Sequence, residues 1–123
     1  MPDRLASFPN YGRFHVQGAL DYLGDAQALQ DMLPILCATL EKDVPAVALL
    51  LAQGERLAAA RCLHSLKGFV PVFCHEDLGA ELLAVERLCR SADAPGIDAA
   101  FTHLSPKLLV LAQEAAHYLA QAG

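Results

Sequence analysis

The residues in this chain best suited to chemistry lie in the run Arg61-Cys62-Leu63-His64-Ser65-Leu66-Lys67-Gly68. An unperturbed imidazole titrates near 6.5, so a large share of it is uncharged at neutral pH and can attack an electrophile such as phosphorus. At roughly 100° per helical residue, His64, Lys67, Gly68 and Pro71 share one face, with Arg61 one turn earlier. Leu63 and Leu66 face the other way, toward a core. The histidine therefore stands on an outer helix face with cations around it: Arg56, Arg61 and Lys67, against a single carboxylate, Glu55, between Gly54 and His75. Positive charge beside a nucleophile offsets the charge on a transferring phosphoryl group, which is most of what proteins contribute to such transfers. Gly68 costs about 1 kcal/mol relative to alanine inside a helix. Its place next to an exposed histidine points to a partner that approaches the backbone closely.

Other groupings carry less. Cys62, His64, Cys74 and His75 could suggest zinc, but Cys62 falls on the inward face and no pair has Cys-x-x-Cys spacing. Glu114 and His117 form an i, i+3 pair of the kind used in di-iron bundles, yet the chain lacks the second pair. No metal site is expected. His15, His103 and His117 read as surface or packing residues, and no acid follows Ser65 in the spacing of a hydrolytic triad. There is no glycine-rich phosphate loop and no nucleotide fingerprint, so phosphorylation from ATP by the chain itself is not expected.

The elements that position His64 follow from apolar periodicity. Residues 1–14, with Pro2, Pro9 and Gly12, form an irregular arm, and residues 15–123 form the folded body. A short helix spans His15 to Leu23 and stops near Gly24, after which Asp25 caps the next helix. That helix carries the stripe Leu29, Leu33, Leu36, Leu40, Val44, Val47 and Leu51. It runs through Pro34 and Pro45 either as one kinked helix or as two nearly collinear pieces, the second capped by Asp43. A third helical stretch runs from Glu55 to Phe73, burying Ala59, Cys62, Leu63, Leu66, Phe69, Val70 and Phe73. A fourth begins after His75 with Leu78, Leu82, Val85 and Cys89 inward. The last has the stripe Ile97, Phe101, Leu104, Leu108, Leu111, Ala115 and Tyr118. The expected architecture is all-α: an up-down four-helix bundle with a short extra N-terminal helix.

Composition narrows the function classes. The 123 residues fit one domain, and 54% apolar residues supply a substantial core. A net charge of −5 argues against a nucleic-acid or anionic-membrane partner. Residues 1–10 lack the pattern of a signal peptide, and no apolar run is long enough to span a bilayer, so a cytoplasmic, free-standing monomer is expected. In that reducing compartment Cys37, Cys62, Cys74 and Cys89 are free thiols, and Cys37, Cys62 and Cys89 sit at helical spacing beside leucines as small core residues.

His64-Ser65-Leu66-Lys67-Gly68 resembles the signature of the histidine-containing phosphotransfer (HPt) family: histidine, an apolar residue at two, lysine at three, glycine at four. Leu23-Gly24-Asp25, the long helix to Gln53-Gly54 and the approach Leu57-Ala58-Ala59-Ala60 are similar to that family as well. The resemblance covers roughly residues 19–118. It implies that His64 accepts a phosphoryl group from an aspartate of one receiver domain and passes it to an aspartate of another. Lys67 would stabilise that group, and Arg61, Gly68 and Pro71 would lie on the docking surface. The implied partners are response-regulator receivers and a sensor or hybrid histidine kinase. No cofactor is implied in the chain itself, the magnesium being held by the receiver. Such a protein is a carrier without independent turnover. The rival reading is a helical adaptor that docks a receiver or kinase without carrying phosphate. Phe69, Pro71 and Cys74 depart from the family pattern, and Pro71 with Cys74 predicts irregular backbone between Val70 and His75.

Overall fold

In a computed structural model, which describes residues 11–91 and 96–122, the chain is all-α. Its helices are α1 (Val16–Leu23), α2 (Ala26–Ala52), α3 (Arg56–Lys67), α4 (Glu76–Arg90) and α5 (Ile97–Ala122), with a 3-10 helix at Val70–Val72. Positions 1–10 of the expected arm lie outside the described residues. None of the described helices is long and apolar enough to cross a membrane.

The caps follow from local chemistry. Gly24 takes φ +98°, a conformation side chains disfavour, and its amide donates to the Leu20 carbonyl to close α1. Asp25 then accepts from the Ala28 amide at 2.7 Å and starts α2. α2 is one helix through Pro34 and Pro45, both on its exposed side, so Asp43 lies inside it and caps nothing. Each interior proline costs roughly 3 kcal/mol. Leu29, Leu33, Leu36, Leu40, Val44 and Val47 are all buried, and each contributes roughly 1.5–3 kcal/mol. The stripe outweighs the two breaks.

α3 differs from its expected length. It ends at Lys67, six residues before Phe73, because Pro71 has no amide to return to the Lys67 carbonyl. The chain tightens instead: Phe69 donates to Leu66 and Phe73 to Val70, the spacing of a 3-10 turn. Val70 and Phe73 still reach the core. Gly68 consequently sits at the end of α3, not in its middle, with φ −76°.

α2 packs against α3 and α5, and α4 packs against α3 and α5, so the four longer helices close a ring around one core. Leu63, Leu66, Leu78, Leu82, Leu104, Leu108 and Leu111 fill it from the expected stripes. α2 and α5 run antiparallel: Cys37 Sγ contacts the Ala112 carbonyl oxygen at 3.4 Å, while Ala48 and Ala52 face Phe101 and Thr102 at the other end. All four cysteines are free.

Residues 11–15 form a strap across the outside. Phe14 pairs with Cys74 in an isolated antiparallel bridge, His15 N donates to Phe73 O at 2.9 Å, and His75 N donates to Arg13 O at 3.1 Å. From α5, Glu114 accepts from the amides of Gly12, Arg13 and Phe14 at 3.3, 2.8 and 3.0 Å. One carboxylate thus satisfies three successive backbone donors. Glu114→Ala should destabilise the protein by about 1–3 kcal/mol, because part-buried amides lose their acceptor. It should also speed tryptic cleavage after Arg13, while Glu114→Gln, which keeps an acceptor oxygen, should lose less. Denaturant melts and timed proteolysis check this; an unchanged cleavage rate in Glu114→Ala would show the strap is held by its pairing to Phe73 and His75 alone.

Candidate functional site

α3 presents His64 as the spacing requires. Leu63 and Leu66 are buried against the other helices, which turns the intervening ring outward to 61% side-chain exposure. Lys67, Gly68 and Pro71 lie on the same side, half-buried, exposed and exposed respectively, and Arg61 is exposed one turn earlier. Arg56 does not join them. Its guanidinium donates to the Cys89 carbonyl at 2.8 Å and closes the C-terminal end of α4.

The decisive neighbour comes from α4. Glu86 is a carboxylate with a side-chain exposure of only 6%. His64 Nδ1 stands 3.0 Å from its Oε2, Arg90 Nε donates to the same oxygen at 3.1 Å, and Lys67 Nζ lies 3.5 Å from Oε1. Burial pushes the Glu86 carboxyl up, but hydrogen bonds from Arg90 and His64 and the charges of Lys67 and His64 overcome it and hold it below the ordinary range. A carboxylate can only accept, so His64 Nδ1 carries the proton and donates. In the neutral ring Nε2 is then the nitrogen with the free lone pair, and among the described residues nothing hydrogen-bonds it. The arrangement leaves one ring nitrogen of His64 unengaged, with Lys67 and Arg90 on the carboxylate that holds the other.

Lys67 is the loosest member. At 3.5 Å its contact is too long for a good hydrogen bond, and Glu86 Oε1 is buried without one among the described residues. The ammonium can therefore turn to new acceptors placed beside His64. Gly68 is exposed, and a Cβ built there would meet nothing closer than the Ser65 and His64 carbonyl oxygens, at 3.6 and 3.8 Å. Neither backbone conformation nor packing calls for glycine at that point. Beyond Lys67 a groove opens, lined by Pro71, Cys74, Gly79, Ala80 and Leu83.

Glu86 and Arg90 escaped the sequence reading, although a trace of the first was there. Glu86 lies on the buried stripe of α4, next to Val85 and one turn after Leu82, and a charge on an apolar stripe implies a partner across the interface. The metal groupings do not assemble: among the described residues no three His, Cys, Asp or Glu side chains converge on a metal-sized site. Burial pushes the Cys74 thiol up to about 11, and burial followed by Asp43 also raises Cys62, so both are protonated at neutral pH. Glu114 and His117 are engaged with the strap, His117 Nδ1 through the Tyr11 hydroxyl at 2.7 Å.

No family model, no characterised protein and no solved structure matches the chain.

The Glu86 contacts make stability depend on acid. In the unfolded chain the carboxyl titrates at its ordinary 4.5, and in the folded chain below it. The stabilisation is thus fully present above the unfolded value and is lost as pH falls through the folded one. Melting temperatures measured between about pH 6 and pH 3 should fall more steeply for the native protein than for Glu86→Gln. Parallel curves would mean that the cations do not hold Glu86 charged.

Proposed function

We propose that the chain is a histidine phosphotransfer protein, an up-down four-helix bundle with a short extra N-terminal helix, which carries a phosphoryl group on His64 between receiver aspartates. The observation that carries this reading is the engagement of His64 Nδ1 by the buried Glu86 carboxylate, with Lys67 on the other carboxylate oxygen and an exposed Gly68 alongside.

The chemistry runs as follows. Nε2 attacks the phosphorus of an aspartyl phosphate in line with the departing carboxylate oxygen; the N–P bond forms as the O–P bond breaks, and the receiver aspartate leaves ionised. The Nδ1 proton remains against Glu86, whose charge supports the cation that develops on the ring. Lys67 moves from its long contact with Glu86 to the phosphoryl oxygens. Transfer to a second aspartate reverses the steps. Magnesium enters with the receiver's own carboxylates, and the donor of the relay is a sensor or hybrid histidine kinase. Such a carrier works in the cytoplasm, as a monomer, without turnover of its own. Gly68, Arg61 and Pro71 form the surface a receiver covers, Pro71 continuing it into the groove beside Lys67.

Incubation with a phosphorylated receiver domain should move label to the native protein, labile in acid and stable in alkali as an N–P bond requires. His64→Gln should take none. Lys67→Ala should fold normally and transfer about ten-fold more slowly or worse, since one charge-assisted contact is worth roughly 1.5–3 kcal/mol. Receiver binding without any transfer to His64 would favour the phosphate-independent adaptor.

Gly68 should separate stability from docking. Alanine fits its helical φ and removes entropy from the unfolded chain, so Gly68→Ala should hold or raise the melting temperature, by at most about 1 kcal/mol. Receiver affinity should fall with side-chain size from alanine to glutamine. Loss of folding with unweakened docking would give the glycine a packing role instead.

A further inference from the structure

α4 carries another inter-helix carboxylate, Glu81, five residues before Glu86. At roughly 100° per residue the two lie about 140° apart around the helix, so Glu86 faces α3 and Glu81 faces α5. At this second edge, His103 Nδ1 stands 2.8 Å from Glu81 Oε2, and Lys107 donates to Oε1 of the same carboxylate. Lys107 Nζ is also 3.4 Å from His103 Nδ1. The His103 ring is 70% exposed. The pattern repeats that of His64: an outward imidazole, Nδ1 on one carboxylate oxygen, a lysine on the other. From the sequence His103 reads as an ordinary surface residue, because the carboxylate that engages it lies on another helix.

Among the five histidines of the chain, these two alone have Nδ1 on a carboxylate among the described residues. His117 Nδ1 meets a phenol, His75 uses Nε2 on the Tyr11 carbonyl, and His15 stacks on His75 with ring centroids 4.5 Å apart. A phenol can donate or accept, so it does not set a tautomer. Burial pushes the Glu81 carboxyl up, but hydrogen bonds from Lys107 and His103 bring it below the ordinary range, so it is ionised at neutral pH and can only accept. Nδ1 of His103 therefore carries the proton, and Nε2 holds the free lone pair.

We propose that His103 is a second phosphoryl-accepting histidine, reactive toward small phosphoramidate-type donors, with Glu81 setting its tautomer and Lys107 offsetting the phosphoryl charge. The inference rests on the reading of His64 for its chemistry, but a small donor tests it without any docking surface. With phosphoramidate as probe, Nε2 of the neutral ring attacks phosphorus, the N–P bond to ammonia breaks, and ammonia leaves with its own electron pair and three protons. The product is Nε2-phosphohistidine with Nδ1–H still against Glu81.

Native protein, His64→Gln and His103→Gln are each incubated with phosphoramidate, and sites are mapped by mass spectrometry kept at alkaline pH. The expected result is label on both residues in the native protein and on His103 in His64→Gln. His103 should react about ten-fold or more faster than His15 and His117 in the same molecule, the size of effect one charge-assisted contact supplies. Glu81→Ala should abolish that advantage and leave the His64 rate unchanged, while Glu81→Gln, which keeps an acceptor for Nδ1–H, should restore part of it. Labelling of His103 no faster than His15 and His117, or indifferent to Glu81→Ala, overturns the proposal and leaves an ordinary surface ion pair. Label on His103 with no receiver-driven transfer to His64 would instead refute the relay reading and leave this one standing.

Discussion

A carboxylate shut away from water either gives up its charge or gathers cations around it, because an unpaired buried charge costs several kcal/mol. Glu86 takes the second course, and the site is organised by that need. It draws His64 and Lys67 from α3 and Arg90 from its own helix. Drawing them in ties α3 to α4 beside the histidine, selects the tautomer of the ring and keeps Lys67 half-buried. Two cations against one anion leave the neighbourhood of His64 net positive before any ligand arrives, in a chain that is negative overall. The field a phosphoryl group would meet is therefore local, built by one interface and not by the protein's total charge.

Backbone geometry supplies the other half of the site. Pro71 cannot donate to Lys67, so α3 stops directly after the lysine and the chain folds into a 3-10 turn. That early stop leaves Gly68 exposed at a helix end, beside the histidine rather than under a further turn. The same turn carries Phe73 into the core and offers its backbone to the strap, which Glu114 holds from α5. One proline thus sets the edge of the face that carries His64 and the seat of residues 11–15.

α4 is where these elements meet. It lies between α3 and α5 and presents an acidic side chain to each. The two edges are not equivalent. Glu86 is nearly buried and has three cationic or imidazole neighbours, whereas Glu81 is 23% exposed and has two. Water screens the more open pair more strongly, so His64 sits in the stronger field and His103 in the weaker.

Apolar periodicity determined the helices without help from tertiary structure. The stripes of α2, α4 and α5 are buried almost residue for residue, because an amphipathic helix in water has a single low-energy face to hide. The same periodicity placed His64, Lys67 and Gly68 on one outer face, since angle around a helix depends only on residue count. The irregular backbone after Val70 was legible too, as the lost amide of Pro71 is a local fact. Three things were not. Asp43 reads as a cap only if Pro45 breaks α2, and whether it does depends on how much apolar surface the neighbouring helices bury. Arg56 looks like a third cation at the histidine until the end of α4 offers it a carbonyl 33 positions away in the chain. Glu86 and Glu81 lie 22 residues from the histidines they hold. A hydrogen bond between helices depends on their register and rotation, which packing of the whole core decides; the outward histidine was therefore written in the local sequence, and the carboxylate that holds it only in the assembled fold.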